Sequence, residues 1–361
     1  MKLFNCQNCG ALLYFENTSC ERCGLAVGFL PREGGMTALR PDGADDAVFS
    51  ALGGGGASVR FCDNARHRAC NWLVDTRAGT GTLCAACRHN RIIPPLDDPA
   101  TVALWQRLEQ AKRRLFYSLL HLRIPLPNRI DDPRNGLGFD FLSEHPGGPR
   151  VVTGHDHGLI TIDVREADDA HREEMRHRMG ETYRTLLGHF RHEIGHWIWN
   201  RLVRDRDRLD PFRSLFGDER QDYAAALRRH YANGPAPDWQ LRSISPYATA
   251  HPWEDFAETW AHYLHIMDTL ETANAFGLGV HPRNPGADGL EVLVAIDPYR
   301  AARMDEIVAQ WVPLVFAVNS LNRSMGLGDL YPFVITPTVQ RKLGFVHDLV
   351  HDREPAPPTA P

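Results

Sequence analysis

Residues 189–197 read His-Phe-Arg-His-Glu-Ile-Gly-His-Trp. His192 and His196 stand four apart, which on an α-helix puts both imidazoles on one face. Two neutral imidazoles and one further ligand hold a zinc ion while a fourth position stays open for water. Glu193, next to the first histidine, is placed to take a proton from that water and deliver it to a leaving amine. His189, three residues before His192, falls near the same face. It is expected as a supporting group around the metal, and read alone it is equally a surface or core histidine.

The third ligand is sought downstream, in Trp253-Glu254-Asp255-Phe256-Ala257-Glu258-Thr259-Trp260. Glu254 and Glu258 are one helical turn apart. Glu254 is the natural third ligand, and Glu258 would hydrogen-bond a ligand imidazole and fix its tautomer. Asp255 lies off that face and ranks below both. His251, His262 and His265 are spares for the third-ligand position. Tyr247, seven residues before Glu254, could donate to a developing oxyanion. A tyrosine in a proline-containing turn is otherwise packing.

A different chemistry occupies the start of the chain. All eight cysteines precede residue 88. Cys6, Cys9, Cys20 and Cys23 form two CxxC pairs, each followed by glycine, a pattern whose turns bring four thiolates onto one ion. Four thiolates close a tetrahedral site and leave no position for catalysis. Cys62, Cys70, Cys84 and Cys87 are less regular, yet four cysteines in so short a window point to a second structural zinc. His67 is an alternative to one of these cysteines. The surrounding residues 59–93 hold Arg60, Arg66, Arg68, Arg77, Arg88 and Arg91 against Asp63 and Asp75. This locally basic module could meet a nucleic acid or an acidic protein, although a solvated surface explains it as well.

The elements that must position these groups follow from periodicity. Val102, Leu104, Trp105, Leu108, Leu115, Leu119 and Leu122 recur at helical spacing and predict a helix over 99–122. Residues 137–165 alternate as strands, and Gly158 to Val164 reads as a strand able to pair with an extended peptide substrate. Helices are expected over 167–203, 253–271 and 299–323. The domain reading is zinc ribbon 1 over 1–30, a flexible linker over 31–58, and zinc ribbon 2 over 59–95. A catalytic body follows over 96–352, then a disordered tail over 353–361. The linker assignment rests on Gly34-Gly35, Pro41, Asp45-Asp46 and the run Gly53 to Gly56.

The 361 residues are 43% hydrophobic and 24% charged, with net charge -5, which excludes a mostly disordered or fibrous chain and a global basic field. No apolar run suits a signal peptide or a membrane span. The expected location is therefore the reducing cytoplasm, where paired cysteines bind metal.

Taken together, the chain resembles the bacterial zinc-binding metallopeptidases that carry an N-terminal zinc ribbon. The resemblance rests on the paired knuckles, on Ala69 to Val74, and on Leu83 to Cys87 running to Ile93-Pro94. It continues through Gly158 to Asp163, Glu166 to Asp169, Tyr183 to Glu193, Pro252 to Glu258, and Asn322 to Gly326 with Tyr331-Pro332-Phe333. More distantly, the spacing of Tyr247, Glu254 and Glu258 is similar to that of gluzincins of the anthrax lethal factor type. That resemblance implies oxyanion assistance by Tyr247, zinc ligation by Glu254 and support of a histidine by Glu258. It also implies an α+β zincin-like domain with a mixed sheet, an HExxH helix and a helical C-terminal half. The activity implied is a zinc metalloendopeptidase acting on peptide or protein substrates, with one catalytic and two structural zinc ions. The alternative is a catalytically inactive zinc-ribbon adaptor that binds a protein or nucleic-acid partner.

Overall fold

The structure is a computed structural model that describes residues 2–43, 45–77, 79, 81–144, 151–179, 185–284 and 286–353. The tail expected over 353–361 lies outside it from residue 354 onward, as do Tyr183 and Arg184. The chain divides into two compact units, Met1–Met175 and Arg176–Pro361. The boundary falls inside the body expected over 96–352.

In the first unit, β1 (Phe4–Asn5) and β2 (Leu12–Leu13) form a short hairpin whose turn carries Cys6 and Cys9. Then come β3 (Val27–Leu30), β4 (Gly35–Pro41), β5 (Phe49–Ala51), β6 (Ala57–Phe61) and β7 (Leu73–Asp75), an antiparallel meander of five strands. A parallel bridge from Phe29 to Trp72 brings the first strand back to the last. Residues 31–58 are therefore not a flexible linker. Leu39, Ala51 and Val59 are buried with Leu30 and Leu73 in one apolar cluster. The glycines and aspartates taken for a linker are hairpin turns, with Gly55 and Gly56 at positive φ. The period-two pattern of Phe49, Ala51, Ala57, Val59 and Phe61 was the signal overlooked. The two cysteine sets consequently share one body and are not separate modules at 1–30 and 59–95.

The helix expected over 99–122 is α1 (Pro99–His121), capped by Asp98, which accepts from Ala100 N and Thr101 N. Its Tyr117 ring packs 5.4 Å from Phe15, and Phe15 and Trp72 both meet Phe29, at 5.1 and 4.6 Å. Its next residue back, Phe116, faces Phe139 at 6.0 Å in a second sheet. That sheet has β8 (Asn90–Ile92), β9 (Gly138–Leu142), β10 (Gly154–Asp156) and β11 (Leu159–Asp163) in the order β10-β11-β9-β8. Strand β11 is hydrogen-bonded to β10 on one side and β9 on the other. The expected pairing of this strand with a substrate is excluded, because both of its edges are used.

The helix expected over 167–203 is two helices. They are α2 (Asp169–Met179) and α3 (Leu186–Trp199), the latter capped by Thr185, whose Oγ1 accepts from Gly188 N over 3.0 Å. A π-helical turn, Asn200–Arg204, continues α3. The second unit then holds α4 (Leu209–Phe216), α5 (Tyr223–Asn233) and α6 (Pro252–Ala275). A short hairpin of β12 (Gly279–Val280) and β13 (Val292–Leu293) leads to α7 (Met304–Ser324) and α8 (Pro337–Val350). Among the described residues no helix is long and apolar enough to cross a membrane.

Candidate metal centres

The two cysteine sets are built by repeated turns. Cys6 N donates to Ala11 O and Gly10 N to Cys6 O, and Cys20 N and Gly24 N repeat the pattern with Leu25 O and Cys20 O, all at 2.8 Å. Gly10 and Gly24 have φ of 72° and 73°, the left-handed conformation that the knuckle requires. The sulfurs of Cys6 and Cys23 are 3.7 Å apart, and those of Cys9 and Cys20 are 3.6 Å apart. In the second set Cys70 and Cys84 stand 3.7 Å apart. Four thiolates about 2.3 Å from one zinc would be about 3.8 Å from each other, so both sets fit the ion. Each set converges within 4.8 Å. Backbone N–H groups of Trp72, Cys84 and Cys87 each donate to a cysteine sulfur at 3.4 Å, which favours the thiolate.

His67 is not among the converging groups. Its Nε2 accepts from Arg66 Nε over 3.0 Å, and its ring leans on Trp105 at 5.9 Å. Beneath the second set lies a fully buried pair, Lys112 and Glu109, with Nζ 2.9 Å from Oε1. Glu109 Oε2 is 3.5 Å from Cys87 Sγ, and burial pushes the Glu109 carboxyl up to about 7. Of the six arginines in 59–93, Arg88 pairs with Asp131 and Arg91 with Asp140, so part of the local basic charge is neutralised within the fold.

The third site lies in the second unit, where α3 and α6 run antiparallel in close contact. The close approach has a local cause. A Cβ on Gly195 would stand 2.9 Å from Ala257 Cα and 3.2 Å from Ala257 O, so only glycine opposite alanine lets the backbones meet. At that crossing His192, His196 and Glu254 converge within 4.8 Å. His192 Nε2 is 3.0 Å from Glu254 Oε2, and His196 Nε2 is 3.6 Å from Oε1. Nitrogen and oxygen ligands about 2.0–2.1 Å from a tetrahedral zinc would be about 3.3 Å apart, so this donor set also fits.

The surrounding groups complete the picture. Glu258 Oε1 accepts from His192 Nδ1 at 2.7 Å, and its other oxygen accepts from Ser245 Oγ at 2.5 Å. Burial alone would lower the His192 pKa, but the carboxylates of Glu254 and Glu258 beside it outweigh burial and hold it well above the usual imidazole value. Burial would likewise raise Glu254 and Glu258, yet the neighbouring imidazoles bring both down to about 2. Trp253 packs against His196 with ring centres 4.0 Å apart and the rings tilted by 41°. The Tyr247 ring is 5.8 Å from His192. Burial, and then the Glu254 charge, raises the Tyr247 phenol well above its ordinary pKa, so it remains a proton donor. Glu193 follows His192 on α3 and lies close enough for its charge to act on Tyr223 and Tyr247.

The remaining candidates go elsewhere. His189 is on α3, one turn before His192, and outside the converging trio. Asp255 pairs with buried Lys342. His251 caps α6, its Nδ1 accepting from Trp253 N at 3.1 Å. His262 meets Tyr331 OH at 2.8 Å, and His265 meets Arg191 Nη1 at 2.6 Å. Two groups were missed in the sequence. Ser245 supports Glu258, and Tyr223 donates to Glu254 Oε1 at 2.7 Å. Both contacts span long separations in the chain and leave no local pattern.

Two family models match the chain. One, described as "Putative zinc-binding metallo-peptidase", covers residues 101–349, and a zinc-ribbon domain covers residues 3–98. An uncharacterized protein of Mycobacterium tuberculosis (strain H37Rv) is 43% identical over 356 residues, 98% of this chain and 97% of that one. An uncharacterized protein of Mycobacterium bovis is similar to the same extent. No solved structure matches.

Proposed function

Because the chain belongs to the zinc-binding metallopeptidase family, with a zinc ribbon at its N-terminus, we propose that it is a zinc endopeptidase. Its ligands are His192, His196 and Glu254, and each cysteine set holds one structural zinc. The observation that carries this reading is the convergence of the three ligands at the helix crossing, with Glu193 beside them. Zinc bound there supplies Lewis acidity, which polarises the scissile carbonyl and acidifies the attacking water.

The protein's own groups do the rest. Glu193 accepts the proton of the attacking water and passes it to the leaving nitrogen. The Tyr247 phenol donates to the carbonyl oxygen as negative charge develops on it. Glu258, fixed by Ser245, holds His192 in the tautomer that turns Nε2 toward the metal. The reading places the protein in the reducing cytoplasm, where the eight cysteines remain available to metal.

The test is digestion of a peptide library by wild type and Glu193→Gln, with zinc measured on both. Wild type should carry three zinc ions per chain. The variant should keep all three and lose cleavage by roughly 10²–10⁴-fold. Cleavage undiminished in the variant would rule out Glu193 as the base, and two zinc ions in wild type would rule out the nitrogen–oxygen site.

A further inference from the structure

Tyr223 belongs to none of the sequence motifs, yet its phenol reaches the same carboxylate as the two histidines. It opens α5, whose N-terminus is capped by Asp222 accepting from Ala225 N at 2.9 Å. Its hydroxyl donates to Glu254 Oε1, joining a residue 38% exposed to an acid only 1% exposed. The ring meets His251 edge-on at 5.2 Å and Trp253 at 5.9 Å, so it is held against the first turn of α6. The other oxygen of the acid, Oε2, is buried and lies 3.0 Å from His192 Nε2. Oε1 of Glu254 is thus engaged by a phenol and lies 3.6 Å from His196 Nε2, while Oε2 carries no phenol and faces His192 more closely.

A carboxylate can give a metal one oxygen or two. Two oxygens from Glu254 would occupy the position that a catalytic site keeps for water. We propose that Tyr223 is a positioning residue of this site: by holding Oε1 it restricts Glu254 to ligation through Oε2 and keeps the fourth position free. The proposal rests on the assignment of His192, His196 and Glu254 as zinc ligands. Tyr223 does not act on the substrate in it. Tyr247, more deeply set and beside His192, keeps the oxyanion role.

The experiment compares full-length wild type with Tyr223→Phe, which keeps the ring and removes the donor. Zinc affinity of each site is read by chelator competition. In parallel, the cobalt spectrum of the nitrogen–oxygen site is taken as a difference against His196→Ala, which lacks that site. Zinc at this site should bind roughly 10–100-fold more weakly in Tyr223→Phe, as for other groups that orient a ligand, with both thiolate sites unchanged. Its cobalt absorption should fall in intensity, as a second oxygen raises the coordination number. Wild-type affinity with an unchanged cobalt spectrum would overturn the proposal alone. A wild-type chain that binds only two metal ions would overturn it together with the ligand assignment beneath it.

Discussion

The two halves of the chain gather metal-binding groups by opposite means. In Met1–Met175 the cysteines sit on tight turns and at the ends of short strands, and these bring the sulfurs together. In Arg176–Pro361 the ligands project from two long helices that are already packed, because Gly195 opposes Ala257. The first arrangement gathers sulfurs for an ion on a body that also has its own apolar cluster and aromatic packing around Phe29. The second is pre-organised by apolar burial and is left incomplete on one side. The sulfur sites and the nitrogen–oxygen site differ here in the structure that holds their ligands together.

The largest expected effect exploits that difference. Cys84→Ser should lose one zinc and strongly lower the melting temperature of the first unit, because a structural zinc contributes on the order of 10 kcal/mol in small zinc domains, with part of that offset here by the apolar cluster of Leu30 to Leu73. His196→Ala should remove one zinc and leave the helical unit folded. Circular dichroism and zinc content on both variants check this, and equal loss of helix in the two would end the distinction.

Acid should blur the comparison where chelation sharpens it. Both units bury a neutral imidazole, His89 in one and His262 in the other, and burial pushes each down to about 4. A folded pKa below the unfolded value of about 6.5 adds stability that is present above that pH and lost as pH falls through 4. For His262 the full effect is about 3 kcal/mol. Melting curves between pH 7 and 4 should show both units weakening, and His262→Gln should flatten the fall in the helical unit only.

Gly195→Ala tests the pre-organisation directly. The added methyl forces α3 and α6 apart, at a cost of about 1–3 kcal/mol, and it should weaken zinc at the helix crossing while the thiolate sites keep theirs. A melting temperature and zinc titration equal to wild type would show that the crossing is less tightly constrained. The smallest effect is expected from His67→Ala. It should change stability by less than about 0.5 kcal/mol and leave the zinc count unchanged, as for a surface substitution.

The legible parts of this protein were those written in local spacing. The knuckle turns with Gly10 and Gly24, the helix of Pro99–His121 and the four-residue steps His192–His196 and Glu254–Glu258 were all readable from neighbours in the chain. Glycine and aspartate misled over 31–58, because the same residues serve hairpins and linkers, and only the pairing of β4 to β6 decides between them. The 57 residues between His196 and Glu254 (197–253) concealed the rest. They carry Tyr223 and Ser245 to the site from regions whose pattern shows only turns and short helices. Register, edge use and contacts across long separations are set by packing, and one sequence does not print them.

The packing of Tyr117 against Phe15 and Phe29 has a consequence for how such a chain can be taken apart. The zinc-ribbon match ends at residue 98 and the peptidase match begins at 101, while the compact unit runs on to Met175. Severing the chain at the junction of the two families would strip α1 from the aromatic cluster, and take Lys112 and Glu109 from beneath Cys87. Inheritance and folding therefore place their borders at different residues. A ribbon moved by recombination at residue 98 would need a new host able to replace that helix.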